Sequence, residues 1–171
     1  LTDEAVRDLD ARRHKMNPPL RSERDRQALL AGLRDGTIEC IATDHAPHAA
    51  EEKEVPFEQA AMGVTGLETA FAALHTYLVL PGVIDLALLV ERLSGGAEPF
   101  GLPRPSLAPG SEANVALCDL GAEWTVGEQG YESRSSNSWC DGRTLTGRVL
   151  VTVAGGQFAY RLRSFSLGVA A

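Results

Sequence analysis

The sequence predicts an α/β chain that ends in a smaller antiparallel β unit, and three observations predict it. An amphipathic helical segment leads directly into a short β-branched run over residues 22–42. That run ends at a polar cluster, "IATDHAPH" (residues 41–48), where a buried strand would emerge into solvent. After about Pro103 the helical periodicity gives way to valine-rich β segments.

Composition sets the limits. The chain has 171 residues, 44% hydrophobic and 23% charged, which is an ordinary globular balance. A formal charge of −7 leaves no basic excess to displace counterions from a phosphate backbone, so nucleic acid is not an expected partner. No apolar run approaches ~20 residues, so no membrane span is expected. The charged opening "LTDEAVRDLDARRHK" lacks the apolar core of a signal peptide. Its first residue is Leu1 and not Met, so the chain is expected to be processed or a piece of a longer one. Cys40, Cys118 and Cys140 are widely spaced and odd in number. They read as free thiols in a reducing cytosol, not as a disulfide framework or zinc knuckle.

Each element has its own signal. Thr2 or Asp3 caps a first helix reaching about Arg13. The tandem prolines of "KMNPPLR" (15–21) forbid helix and leave an extended loop. Ser22, with Asp25 three residues on, forms a capping-box pattern. Leu29, Leu30 and Leu33 give the following helix one apolar face, and Gly36 stops it, so the helix runs from about 23 to 35. "TIECIA" (37–42) has the make-up of a parallel strand buried on both faces. Its C-terminal end is where α/β folds build active sites.

A long loop is expected over 49–64, with "EEKE" as a solvated stretch that would help cover the site. Leu67, Ala70, Phe71, Leu74 and Leu78 line one stripe of a helix, broken by Pro81–Gly82. Another helix runs from Ile84 to Leu93, stopped by Gly95–Gly96, and a helical turn near 97–100 ends in "GLPRP". "ANVALCDL" (113–120) and "GRVLVTVAGGQFAYRL" (147–162) read as strands, the second splitting at Gly155–Gly156 into a hairpin. Residues 132–142 read as a polar loop, and the tail after Arg163 has no strong pattern.

Asp44 is the first polar side chain past the expected strand. A carboxylate held there could bind a metal, accept a proton, or do both. Pro47 keeps His45 and His48 off a common helical face, so at most one faces such a site. Against this stands a plainer arrangement, in which Asp44 caps the next turn and the histidines are surface residues. The spacing alone leaves both open, because it lacks the compactness of a stand-alone metal motif.

Taken together, "KMNPPLRSERDRQALLAGLRDGTIECIATDHAPH", "EEK", "GVTGLETA" and "SRSSN…GRTLTGRVLVTVAGG" resemble the C-terminal part of bacterial-type dihydroorotases of the amidohydrolase superfamily. The resemblance covers about residues 1–162. It implies the C-terminal part of a TIM-type (β/α)8 metal-dependent hydrolase barrel over residues 1–102. Residues 103–171 would then form a small β-sandwich domain, composite with an absent N-terminal segment.

The resemblance also implies roles. Asp44 would bind one ion of a zinc centre of one or two ions and shuttle the proton. His48 would contact the substrate carboxylate and Asn17 the substrate. Met62–Gly63 stands where many members carry Phe-Gly and touch the ring through backbone. Each has a plainer alternative: Asn17 in the turn before Pro18, His45, His14 and His75 in structural or surface positions, Arg21 in an ion pair.

The implied reaction is the interconversion of dihydroorotate and N-carbamoyl-L-aspartate in cytoplasmic pyrimidine synthesis. A barrel needs roughly 250 residues, so the chain is expected to need the N-terminal remainder of the barrel for activity, with most zinc ligands outside it. The resemblance leaves three readings open: a dihydroorotase, a hydantoinase- or allantoinase-like hydrolase of another cyclic amide, and a non-catalytic partner of aspartate transcarbamoylase. It also leaves homo-oligomer formation open.

Overall fold

The computed structural model describes residues 1–166; residues 167–171, assigned above to the β-rich part, lie outside them. Two layers result: helices and extended segments over residues 1–102, and a three-stranded sheet with its loops beyond.

The opening helix is shorter and broken. A 3-10 helix spans Asp3–Asp8, Leu9 turns the chain with φ 54°, and α1 (Ala11–His14) follows, capped by the Asp10 side chain on the Arg12 amide. A left-handed residue cannot continue a right-handed helix, which is why the expected single element divides. Helix α2 (Glu23–Asp35) matches its sequence signals: Ser22 and Asp25 exchange both capping-box bonds, and Gly36 takes φ 88° at the C-cap.

Residues 37–42 form no paired strand, 37 and 38 lying in a bend, which corrects the expected strand. A strand needs a hydrogen-bonded neighbour, and here the segment bonds to helices: the Ile38 amide to Gly32 O and the Ile41 amide to Arg92 O. Ile38, Cys40 and Ile41 are half-buried, whereas Thr37, Glu39 and Ala42 are exposed. The parallel contact present is a single bridge between His45 and Val64.

Helix α3 (Ala50–Lys53) forms one turn in the expected long loop. Helix α4 (Ala70–Leu74) continues as a π-helical turn over His75–Val79. Helix α5 (Leu86–Ser94) is capped by Asp85 and ends where expected, with Gly95 as its C-cap, and a 3-10 helix over Gly95–Phe100 follows. Gly95 has a packing reason to be glycine. A Cβ there would lie 2.5 Å from the Glu39 carbonyl oxygen, so α5 could not approach the 37–42 segment.

Strands β1 (Val115–Thr125), β2 (Thr144–Ala154) and β3 (Gln157–Arg161) form one antiparallel sheet in the order β1-β2-β3, with Gly155–Gly156 as the tight turn. Among the described residues this is a single three-stranded sheet, one layer of the β-rich part. The opposing cover comes from α4. Ala72 and Ala73 pack against Val126, Cys140 and Leu145, with Trp124, Tyr131 and Trp139 around them. Small residues on the helix let it lie close to the sheet, and the core so formed ties the loop at 132–142 to the α/β part.

Candidate active site

Backbone bonds bring the segment that follows Asp44 and the start of the Asn17 loop to residues 62–65. The Ala46 amide donates to Val64 O at 3.0 Å, the Gly63 amide to Lys15 O at 2.8 Å, and the Thr65 amide to Asn137 O at 3.0 Å. The segment after Asp44 thus lies beside Met62–Gly63, and the Asn17 loop is anchored two residues away at Lys15. Asn17 and Met62 are both exposed.

Asp44 is exposed and has φ 44°, one of two non-glycine residues with positive φ among the described residues. Such a conformation costs about 1–3 kcal/mol in a side-chain-bearing residue, though aspartate tolerates it better than most. It turns the chain sharply between the 37–42 segment and the His45–Val64 bridge. Among the described residues no three His, Cys, Asp or Glu side chains come together as a metal cluster.

His48 is held on both sides. Its Nε2 lies 2.8 Å from Met62 O, and its Nδ1 lies 3.4 Å from a Glu52 carboxylate oxygen. A carbonyl can only accept, so Nε2 carries the proton. His45 turns the other way: its Nδ1 accepts from the Gly66 amide at 3.2 Å and the Leu67 amide at 3.3 Å, a structural job. Gly63 has φ 114°, and a Cβ on it would fall 2.5 Å from the Ala46 Cβ. Backbone contact between the two segments therefore requires glycine at this position.

Three residues outside the predicted set hold the site together. Lys53, within the stretch expected to be solvated, is 2% exposed and donates to Ala61 O and Gly63 O at 2.8 and 2.9 Å. Burial, and then the nearby Lys15 charge, lower its pKa from the ordinary lysine value. Lys15 is buried as well, its ammonium donating to the Phe57 and Glu58 carbonyls. Asn137 sits 3% exposed in the loop read as merely polar, bonded to Ala46, His48 and Gly63. The signal available in the sequence was the "WC" that follows it, an apolar pair drawing the polar loop inward.

The remaining histidines are interior. His14 Nδ1 meets Asp8 at 2.8 Å, and His75 stacks on Phe71 with Nδ1 3.1 Å from Thr146 O. Arg21 pairs at the surface with Asp25 at 3.6 Å. Chemically, the arrangement offers one accessible carboxylate at a sharp turn, an imidazole fixed by its Nε2–H on Met62 O, and backbone groups pinned beside it. A cavity of about 140 Å³ borders His48, Lys53 and Asn137, with Arg12 and Arg134 on its rim.

No family model matches the chain. Individual proteins do. It is 46% identical over 161 residues to a dihydroorotase of Trichlorobacter lovleyi, covering 94% of this chain and 37% of that protein. A dihydroorotase of Elusimicrobium minutum is 45% identical over 158 residues, 92% of this chain and 36% of its own length. One of Anaeromyxobacter sp. is 49% identical over 147 residues, 85% and 34%. The chain thus spans between 34% and 37% of the length of these curated relatives.

Among solved structures, an L-hydantoinase (dihydropyrimidinase) from Arthrobacter aurescens superposes with TM-score 0.80 at 28% identity, over 94% of this chain and 37% of that one. A D-hydantoinase (dihydropyrimidinase) from Thermus sp. gives 0.78 at 28%, over 90% and 35%. The chain is similar to dihydroorotases over nearly its whole length, and it folds like the matching part of these hydantoinases.

Proposed function

We propose that this chain supplies the proton-transferring carboxylate and one wall of the substrate pocket of a dihydroorotase, which interconverts (S)-dihydroorotate and N-carbamoyl-L-aspartate in cytoplasmic pyrimidine synthesis. One observation carries the reading. In a chain 46% identical to a dihydroorotase, Asp44 stands exposed in a left-handed turn beside the His48 and Met62–Gly63 segments. On this reading residues 1–102 belong to a TIM-type barrel and residues 103–171 to a small β domain, both completed by chain lying N-terminal to Leu1.

The residues fit a zinc centre in part. Asp44 is an accessible oxygen donor of the kind zinc takes. A catalytic zinc takes three protein ligands, so on this reading the others come from outside the described residues. When bound, the ion supplies Lewis-acid polarisation of the ring amide carbonyl.

The chain's own residues do the rest. The Asp44 carboxylate takes a proton from the attacking water and delivers it to the departing ring nitrogen. His48 keeps Met62 in place through its Nε2–H, and only when Nδ1 carries a proton as well does it offer an N–H to an anionic substrate group in competition with Glu52. Asn17 and the Met62–Gly63 backbone orient the ring, which limits unproductive encounters.

A second reading, hydrolysis of another cyclic amide such as a hydantoin, draws on the likeness to the Arthrobacter aurescens L-hydantoinase. A third is a non-catalytic partner of aspartate transcarbamoylase. Zinc content and turnover of the full-length protein, and of its Asp44→Asn variant, separate them. The first reading expects bound zinc and dihydroorotate turnover that falls at least about 100-fold in the variant. Asparagine accepts the left-handed turn, so the variant stays folded. Hydantoin turnover alone favours the second reading. A metal-free protein that binds the transcarbamoylase favours the third.

A further inference from the structure

We infer that Asn137 is a positioning residue that sets the spacing between the His48 segment and the Met62–Gly63 segment, and so tunes substrate binding; this deepens the dihydroorotase reading and rests on it. A carboxamide offers two N–H donors and one oxygen acceptor, and here both ends are engaged. Its Nδ2 donates to Ala46 O at 3.0 Å and to Gly63 O at 3.2 Å. Its Oδ1 accepts the His48 amide at 3.2 Å. The Ser135 hydroxyl lies 2.5 Å from both that oxygen and His48 O. Asn137's own carbonyl accepts the Thr65 amide at 3.0 Å. One side chain, 3% exposed, therefore bridges the His48 segment and the Met62–Gly63 segment.

Geometry makes the role specific. The segments touch so closely at Gly63 and Ala46 that a single Cβ would not fit, so a small change in spacing moves both the Met62 carbonyl and the imidazole that bonds it. Gly63 O keeps a second donor in Lys53, which holds the Met62–Gly63 loop to α3 independently. The His48 amide and Ala46 carbonyl depend on Asn137. Loss of the carboxamide thus loosens the His48 segment, which keeps the Ala46 amide on Val64 O and Nε2 on Met62 O, while Asp44, two residues upstream of Ala46, keeps its turn.

The test is steady-state kinetics on the full-length protein and its Asn137→Ala variant, with melting temperatures in parallel. The expected result is a KM for dihydroorotate raised about tenfold with kcat changed less than about threefold. A residue that only supports the fold would lower the active fraction, reducing apparent kcat at unchanged KM; that pattern overturns the inference, as does an unchanged KM in a variant that melts normally. If Asn137→Ala does not fold, Ser135→Ala is read instead, with a KM rise of about threefold expected and an unchanged KM overturning the inference. Absence of dihydroorotate turnover in the unsubstituted protein overturns the functional reading itself, and the inference with it.

Discussion

The Nε2 atom of His48 lies 2.8 Å from the carbonyl oxygen of Met62, which joins the two segments proposed to face the substrate. Because the carbonyl only accepts, the neutral ring must be the Nε2–H tautomer, with Nδ1 toward Glu52. Nitrogen-15 shifts of the His48 ring at neutral pH are expected to show a protonated Nε2. A protonated Nδ1 with a bare Nε2 would contradict the arrangement.

Gly63 should not tolerate a side chain. Its φ of 114° and the 2.5 Å approach to Ala46 Cβ predict that Gly63→Ala lowers stability by about 1–3 kcal/mol. Denaturant unfolding measures this, and a variant as stable as the parent would show that the two segments are not in contact.

Lys53 links stability to pH with a definite sign. Its pKa is lowered in the fold, first by burial and then by Lys15. Between that lowered value and the ordinary lysine value of 10.5, the native state binds fewer protons than the unfolded state, so stability through this group rises with pH. At pH 7, Lys53→Met should cost about 1–3 kcal/mol, because Ala61 O loses its donor. The gap between parent and variant should widen on going to pH 10. A gap that narrows would reverse the assigned sign.

Cys140 should resist thiol reagents in the native protein. It is fully buried, and burial pushes its thiol up to about 12. At pH 8 the thiolate fraction is then negligible. Native alkylation read by mass spectrometry should mark Cys40 and Cys118, both partly exposed, and leave Cys140 unmodified until the chain is unfolded. Rapid native modification of Cys140 would mean that the core between α4 and the sheet opens readily.

Features written in short-range chemistry were legible in the sequence. The Ser22–Asp25 capping box, the Gly36 stop and the Gly155–Gly156 turn all stand where residue type demands them. Those that depend on distant partners were not. "TIECIA" has strand composition, yet pairing is decided by a neighbour and not by the run itself. Leu9 broke the first helix by adopting φ 54°, against its own propensity. Within the candidate site, Gly63 and His48 were named through resemblance. Lys53 and Asn137 looked like solvated polar residues, because their partners are backbone carbonyls and amides; for Asn137 the nearby Trp139–Cys140 pair was the one hint of burial.

The span of the Asn137 bridge bears on when the site can take shape. Asn137 follows His48 by 89 residues. At ~5–20 residues per second, a ribosome needs on the order of ten seconds to cover that distance. Until then the nascent His48 loop has no carboxamide to fasten it, so translation products that stop short of Asn137 carry the proposed reactive groups without the clasp that aligns them.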